Sequence, residues 1–132
     1  MTERKKVRLG RTGLMVTKTS FGALPIQRIS FEAAGELLRT AYEEGVNFFD
    51  TANAYTDSEE KIGAALSDVR GEIIIATKSA YKKGDPDMVK RNLELSLKRM
   101  KTDYIDILQF HNPDFCPRED DPAYQYLLEM KK

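Results

Sequence analysis

Short apolar runs alternate with segments of helical period along most of the chain. Val7-Arg8-Leu9 and Leu14-Met15-Val16 flank Gly10-Arg11-Thr12-Gly13, whose glycines permit positive φ, and this predicts a β-hairpin over residues 7–16. Thr19 to Leu24 predicts a first short strand, stopped where Pro25 forces a turn. Ser30 then caps a helix whose apolar positions Phe31, Ala34, Leu37, Leu38 and Ala41 keep the three-four spacing, and Gly45 ends it. Val46-Asn47-Phe48-Phe49 predicts a second strand, and Asp57 or Ser58 caps a helix through Ile62, Ala65 and Leu66. Ile73-Ile74-Ile75-Ala76 is apolar at consecutive positions, as expected of a parallel strand covered on both faces. Asp85 and Pro86 open a helix with Val89, Leu93, Leu97 and Met100 on one side, and Tyr104 to Leu108 predicts a fourth strand. A last helix starts at Asp121-Pro122, with Tyr124, Leu127 and Leu128 as its core positions.

Strands and helices taken in strict alternation predict an α/β fold of parallel βαβ units with right-handed crossovers. No G-x-G-x-x-G follows the first strand and no G-x-x-x-x-G-K-[ST] occurs, which argues against a Rossmann domain and a P-loop. The expected architecture is therefore a parallel (β/α)8 barrel of the TIM type, truncated to its first four β/α units. Residues 1–132 form one domain in this reading, with the hairpin as a cap and residues 19–132 as the β/α units, the last helix incomplete.

Composition narrows the function classes without naming one. Lys plus Arg and Asp plus Glu number 21 each, so no net field draws the chain toward nucleic acid or an anionic membrane. A single cysteine, Cys116, excludes an intrachain disulfide, and no neighbouring acid-histidine cluster gives it metal-ligand spacing. The start, Met1-Thr2-Glu3-Arg4-Lys5-Lys6, leads into no apolar run, so a reducing cytoplasm is the expected compartment.

The chemistry gathers at the ends of the predicted strands. Asp50 follows the second strand, Tyr55 lies in the loop beyond it, Lys78 follows the third and His111 the fourth. In a parallel barrel the C-terminal strand ends share one face, where active sites are built. A phenol with a reference pKa of about 10 is a poor acid at neutral pH, and a nearby ammonium favours its phenolate. Lys78 can supply that charge, Asp50 can pair with Lys78, and His111 can donate to a substrate oxygen beside the tyrosine hydroxyl. Taken singly, each residue has an ordinary alternative: a loop-capping aspartate, a solvated lysine, a packed aromatic, a structural histidine. Asp106 and the acidic run Glu119-Asp120-Asp121 read as a hydrogen-bonded strand residue and a solvated helix start.

Gly45 to Tyr55, followed by Ser58-Glu59 and Ile62-Gly63, resembles the aldo-keto reductase signature D-T-A-x-x-Y leading to S-E-x-x-[LI]-G. Leu93 to Met100 with Thr102 to His111 is similar to that family's helix-three to strand-four block, and Ile74-Ile75-Ala76-Thr77-Lys78 to its lysine-bearing strand. The resemblance runs from Val7 onward, and it implies that the hairpin closes the bottom of the barrel. It implies reduction of a small aldehyde or ketone by hydride from NADPH, with NADH as the alternative. Tyr55 is then the general acid, Lys78 the group that eases its ionisation, Asp50 the partner of Lys78, and His111 the donor that orients the carbonyl. Gly22, Ala23 and Asp50 would approach the nicotinamide end of the cofactor. This chain has Thr56 where many members have glycine, and Met100 where leucine is common. A full barrel takes roughly 250 residues, and most of the cofactor site belongs to strands five to eight. The chain alone is therefore expected to be inactive and to self-associate through its open barrel edges. The alternative from another class is a non-catalytic half-barrel, a fragment or a regulatory subunit of the same family.

Overall fold

The computed structural model describes residues 3–114 and 116–132. Strand β1 (Lys6–Arg8) pairs antiparallel with β2 (Met15–Thr17), with Val7 opposite Val16. Gly10 and Gly13 take φ of +54° and +78° in the connecting turn, a region open to glycine at no steric cost. Asn47 ties this hairpin to the rest of the molecule: its Oδ1 accepts from the Thr17 amide at 2.7 Å and its Nδ2 donates to the Met15 carbonyl at 2.9 Å. Because Asn47 immediately precedes a sheet strand, the hairpin lies at the N-terminal end of the sheet.

That sheet consists of β3 (Phe21–Gly22), β4 (Phe48–Asp50), β5 (Ile74–Ala80) and β6 (Ile107–His111), all parallel and in chain order. Helices α1 (Phe31–Glu43), α2 (Ser58–Leu66) and α3 (Pro86–Met100) make the crossovers, and α4 (Pro122–Met130) follows β6. Strands that neighbour each other in chain order without reversal are the arrangement of a (β/α)8 barrel, whereas a doubly wound sheet reverses direction at a switch point. The fold is the first half of such a barrel. Its core lies between sheet and helices, where Leu38, Phe49, Ile62, Leu66, Ile75 and Met100 are buried together.

Local chemistry explains most element ends. Ser30 accepts from the Ala33 amide at 3.1 Å to start α1, and Asp85 accepts from the Met88 amide at 3.1 Å to start α3. Gly45, at φ +92°, follows the end of α1. Two expectations fail because side chains and backbone groups find other partners. Neither Asp57 nor Ser58 caps α2 with its side chain: Asp57 Oδ1 accepts from Lys61 Nζ at 2.9 Å, and Ser58 Oγ donates to the Ala23 carbonyl at 2.8 Å. The fourth strand begins at Ile107 and not at Tyr104, because Arg70 Nη2 takes the Tyr104 carbonyl at 2.9 Å and the Asp106 carboxylate takes the Ile75 amide at 2.9 Å. Those groups are then unavailable to a ladder, which starts at Ala76 opposite Ile107. The first strand is also shorter than expected, because its ladder with β4 covers only Phe21 and Gly22.

Helices α2 and α3 meet at Gly63. A Cβ there would fall on the Arg99 carbonyl oxygen and within 2.8 Å of Met100 Cα, both backbone atoms with no rotamer to yield. Gly63→Ala is therefore expected to destabilise the fold by about 1–3 kcal/mol, as overpacking does. A denaturation midpoint equal to wild type would show that the two helices separate freely.

Asp121 fastens α4 to the loop before α3: its carboxylate accepts from the Ala123 amide at 2.8 Å and from the Gly84 amide at 2.9 Å. Burial works to raise the carboxyl, but these amides and the Tyr81 hydroxyl outweigh it and hold the group below the usual carboxylate range. The Tyr81 hydroxyl in turn is pushed up to about 12 by burial and by its bond to Asp121. A carboxylate whose folded value is lowered contributes stability above its unfolded value, about 3.9, and that contribution is lost as pH falls through the folded value. Asp121→Ala should lower the urea midpoint at pH 7, and the gap to wild type should narrow below about pH 4. A gap that persists unchanged at low pH would place the effect in packing.

Candidate active site

The parallel strands end on one edge, and the sequence-selected residues meet there. Asp50 is the last residue of β4, in register with Gly22 of β3 and Ala76 of β5. Strand β5 runs on to Ala80, further than its apolar run predicts, so Lys78 stands inside the strand opposite Gln109. His111 is the last residue of β6, opposite Ala80.

Lys78 Nζ donates to Asp50 Oδ2 at 2.8 Å and to the Thr51 carbonyl at 2.7 Å. Its side chain is 17% exposed, so this ammonium is partly withdrawn from water and its field is less screened than a surface lysine's. It lies 5.4 Å from the centre of the Tyr55 ring. The Tyr55 ring meets the His111 ring edge to face, with centroids 5.6 Å apart and planes at 86°. All four residues therefore form one group, and a phenol, an ammonium and an imidazole together can deliver a proton to an oxygen placed beside them. The Thr51 carbonyl is the partner that the sequence could not reveal, since a backbone oxygen leaves no mark on residue identity.

The loop that carries Tyr55 is fastened to β5 and to the start of α2. Thr51 and Asn53 amides donate to the Ala76 and Lys78 carbonyls at 2.8 and 3.0 Å, and the Ser58 amide donates to the Tyr55 carbonyl at 2.8 Å. Thr56 takes φ +40°, in the left-handed region that favours glycine. The backbone thus explains why glycine suits this position. Thr56 here gains a hydroxyl bond to Gln27 Oε1 at 3.2 Å.

The residues expected near a cofactor divide. Gly22 is exposed, and an added Cβ would meet nothing within 4 Å, so open space adjoins the end of β3. Ala23 is fully buried, its amide donating to the Asp50 carbonyl at 2.8 Å and its carbonyl accepting from Ser58 Oγ. It supports the strand end from beneath and presents no surface of its own. Beside His111, Phe110 stacks on Tyr81 with centroids 4.0 Å apart. Cys116 is exposed. Among the described residues no helix is long and apolar enough to cross a membrane.

The family model described as "Aldo/keto reductase family" matches residues 13–132. Among curated proteins, L-galactose dehydrogenase of Arabidopsis thaliana is 36% identical, over 100% of this chain and 47% of its own length. A probable voltage-gated potassium channel subunit beta of Oryza sativa subsp. japonica is 33% identical, over 80% of this chain and 37% of its own. A putative aldo-keto reductase from Pseudomonas aeruginosa superposes with a TM-score of 0.84 at 29% identity, covering 96% of this chain and 55% of that one. An aldo-keto reductase from Klebsiella pneumoniae in complex with NADPH shares the fold, with a TM-score of 0.82 at 23% identity over 98% of this chain and 46% of its own. The chain thus spans about half the length, or less, of these curated relatives.

Proposed function

Because this chain belongs to the aldo/keto reductase family, we propose that it supplies the proton-transfer half of a carbonyl reductase, acting on a small aldehyde or ketone with NADPH in preference to NADH. The observation that carries the proposal is the meeting of Asp50, Tyr55, Lys78 and His111 at one strand edge. When bound, the cofactor supplies hydride to the carbonyl carbon. Tyr55 gives its hydroxyl proton to the carbonyl oxygen as charge develops there, so that the product is the alcohol. The Lys78 ammonium stabilises the phenolate left behind, and Asp50 with the Thr51 carbonyl holds that ammonium in place. His111 donates to the same oxygen and orients it. Gly22 and Asp50 fit the nicotinamide end, because the open space above Gly22 adjoins the strand end that Asp50 occupies.

In this proposal residues 1–132 are the first half of the barrel, and most of the cofactor site lies in the second half. The chain alone neither binds NADPH tightly nor turns over. Strands β3 and β6 are the outer strands of the sheet, and in a half barrel their free edges seek a partner, a second copy in the isolated chain. A cytoplasmic, soluble protein is the matching setting. Joining the chain to the second half of a related reductase tests the function: consumption of NADPH with an aldehyde panel, followed at 340 nm, is expected. Absence of turnover across the panel, in a fusion that binds NADPH, would overturn the catalytic reading. That result would favour a second one, a non-catalytic associating subunit, which the likeness to the channel beta subunit supports. Light scattering of the isolated chain at micromolar concentration should show a dimer or larger species, and a cooperatively unfolding monomer would remove the edge-pairing proposal.

A further inference from the structure

Ser58 and Glu59 take no part in the proton-transfer group, yet both are fully buried. Glu59 stands in the first turn of α2 and its carboxylate reaches two other elements. Oε2 accepts from Thr77 Oγ1 at 2.8 Å, and Oε1 accepts from Arg99 Nη1 at 3.1 Å. The same Nη1 donates to the Asn53 carbonyl at 2.9 Å. Thr77 immediately precedes Lys78, and Asn53 lies two residues before Tyr55 in the loop. Asn53 also donates its amide to the Lys78 carbonyl at 3.0 Å, and its Nδ2 to the Asn92 carbonyl and Ser96 Oγ, each at 3.2 Å.

One buried carboxylate therefore holds the Thr77 side chain, next to Lys78, with one oxygen and, through Arg99, the loop before Tyr55 with the other. A buried ion pair is a weak source of stability, since desolvation offsets most of its Coulomb attraction. What this one does supply is direction, because both carboxylate oxygens and the guanidinium fork have fixed geometry. We infer that Glu59, Thr77 and Arg99 are positioning residues that hold Lys78 and Tyr55 at their working separation. This inference rests on the proposed reductase function, and it adds to that function the device that sets the geometry of the proton donor. A displacement of about 1 Å at reacting groups costs on the order of 10²-fold in rate, so a small shift of either residue is enough to matter.

The test compares Thr77→Val, which keeps the side-chain volume and removes the hydroxyl donor, with Thr77→Ser, which restores it. In the fusion that completes the barrel, Thr77→Val should lower kcat at least ten-fold with KM and NADPH affinity within two-fold, and Thr77→Ser should recover most of the rate. In the chain itself, the nuclear Overhauser contact between the Tyr55 and His111 rings should weaken in Thr77→Val and return in Thr77→Ser. If Thr77→Val fails to fold, Glu59→Gln answers the same question, with the same kcat-only loss expected. Wild-type kcat with an unchanged ring contact in a folded variant would overturn the inference, as would a Thr77→Ser protein as impaired as Thr77→Val. A wild-type fusion that binds NADPH and reduces no carbonyl would overturn the proposed function instead, and the ring contact would still decide the positioning.

Discussion

Tyr55→Phe is expected to lower carbonyl reduction by a factor of about 10² to 10⁴ while NADPH binding persists, measured in the barrel-completing fusion. The ring and its contacts survive the change: Lys78 still has an aromatic face 5.4 Å away and His111 still has an edge-to-face neighbour at 5.6 Å. Only the hydroxyl is lost, and with it the proton that the new alkoxide needs. The loss should appear in kcat and in kcat/KM alike, because a proton transferred during the chemical step stabilises the transition state more than the bound ground state. Lys78→Met should act in the same direction, since the positive charge that faces the developing phenolate is then gone. A Tyr55→Phe protein that keeps more than a tenth of the rate would remove Tyr55 from the proposed role.

The largest effect on stability is expected from Arg70→Met. The guanidinium is almost fully enclosed, with a side chain 9% exposed against 13% for its partner Asp106, at 2.8 Å. It also donates to Thr102 Oγ1 at 3.1 Å, to the Ile73 carbonyl at 3.1 Å and to the Tyr104 carbonyl at 2.9 Å, and it stacks on the Tyr104 ring at 3.9 Å. Methionine matches the stem and none of the donors. Asp106 would keep only the Ile75 amide, and a buried charge stripped of its partner costs about 3–5 kcal/mol. Chemical denaturation should show that loss, with the approach into β6 the first region to exchange its amide protons. A destabilisation below about 1 kcal/mol would mean that water enters and replaces the guanidinium.

Residue identity by itself determined the alternation of strands and helices, the hairpin turn at Gly10 and Gly13, and the caps at Ser30, Asp85 and Asp121. Each depends on neighbours within a turn or two, where side-chain period, φ preference and a nearby hydroxyl or carboxylate decide the outcome. The group of Asp50, Tyr55, Lys78 and His111 was legible for a related reason: parallel strands in sequential order bring their C-terminal ends to one edge, so position along the chain predicts position in space. Tertiary structure alone decided where the other buried polar side chains found distant partners. Ser58 looks like a cap for α2, but its hydroxyl donates to the Ala23 carbonyl, 35 residues away. Asp106 looks like a strand residue, yet it serves Arg70, 36 residues away, and delays the ladder of β6. Glu59 is an acidic residue in the first turn of α2, and it is buried between Thr77 and Arg99. Strand and helix periods report which face of an element is apolar. They carry no information about which distant donor a buried polar atom meets once that face is closed, and that meeting is what shapes the ground beneath Lys78 and Tyr55.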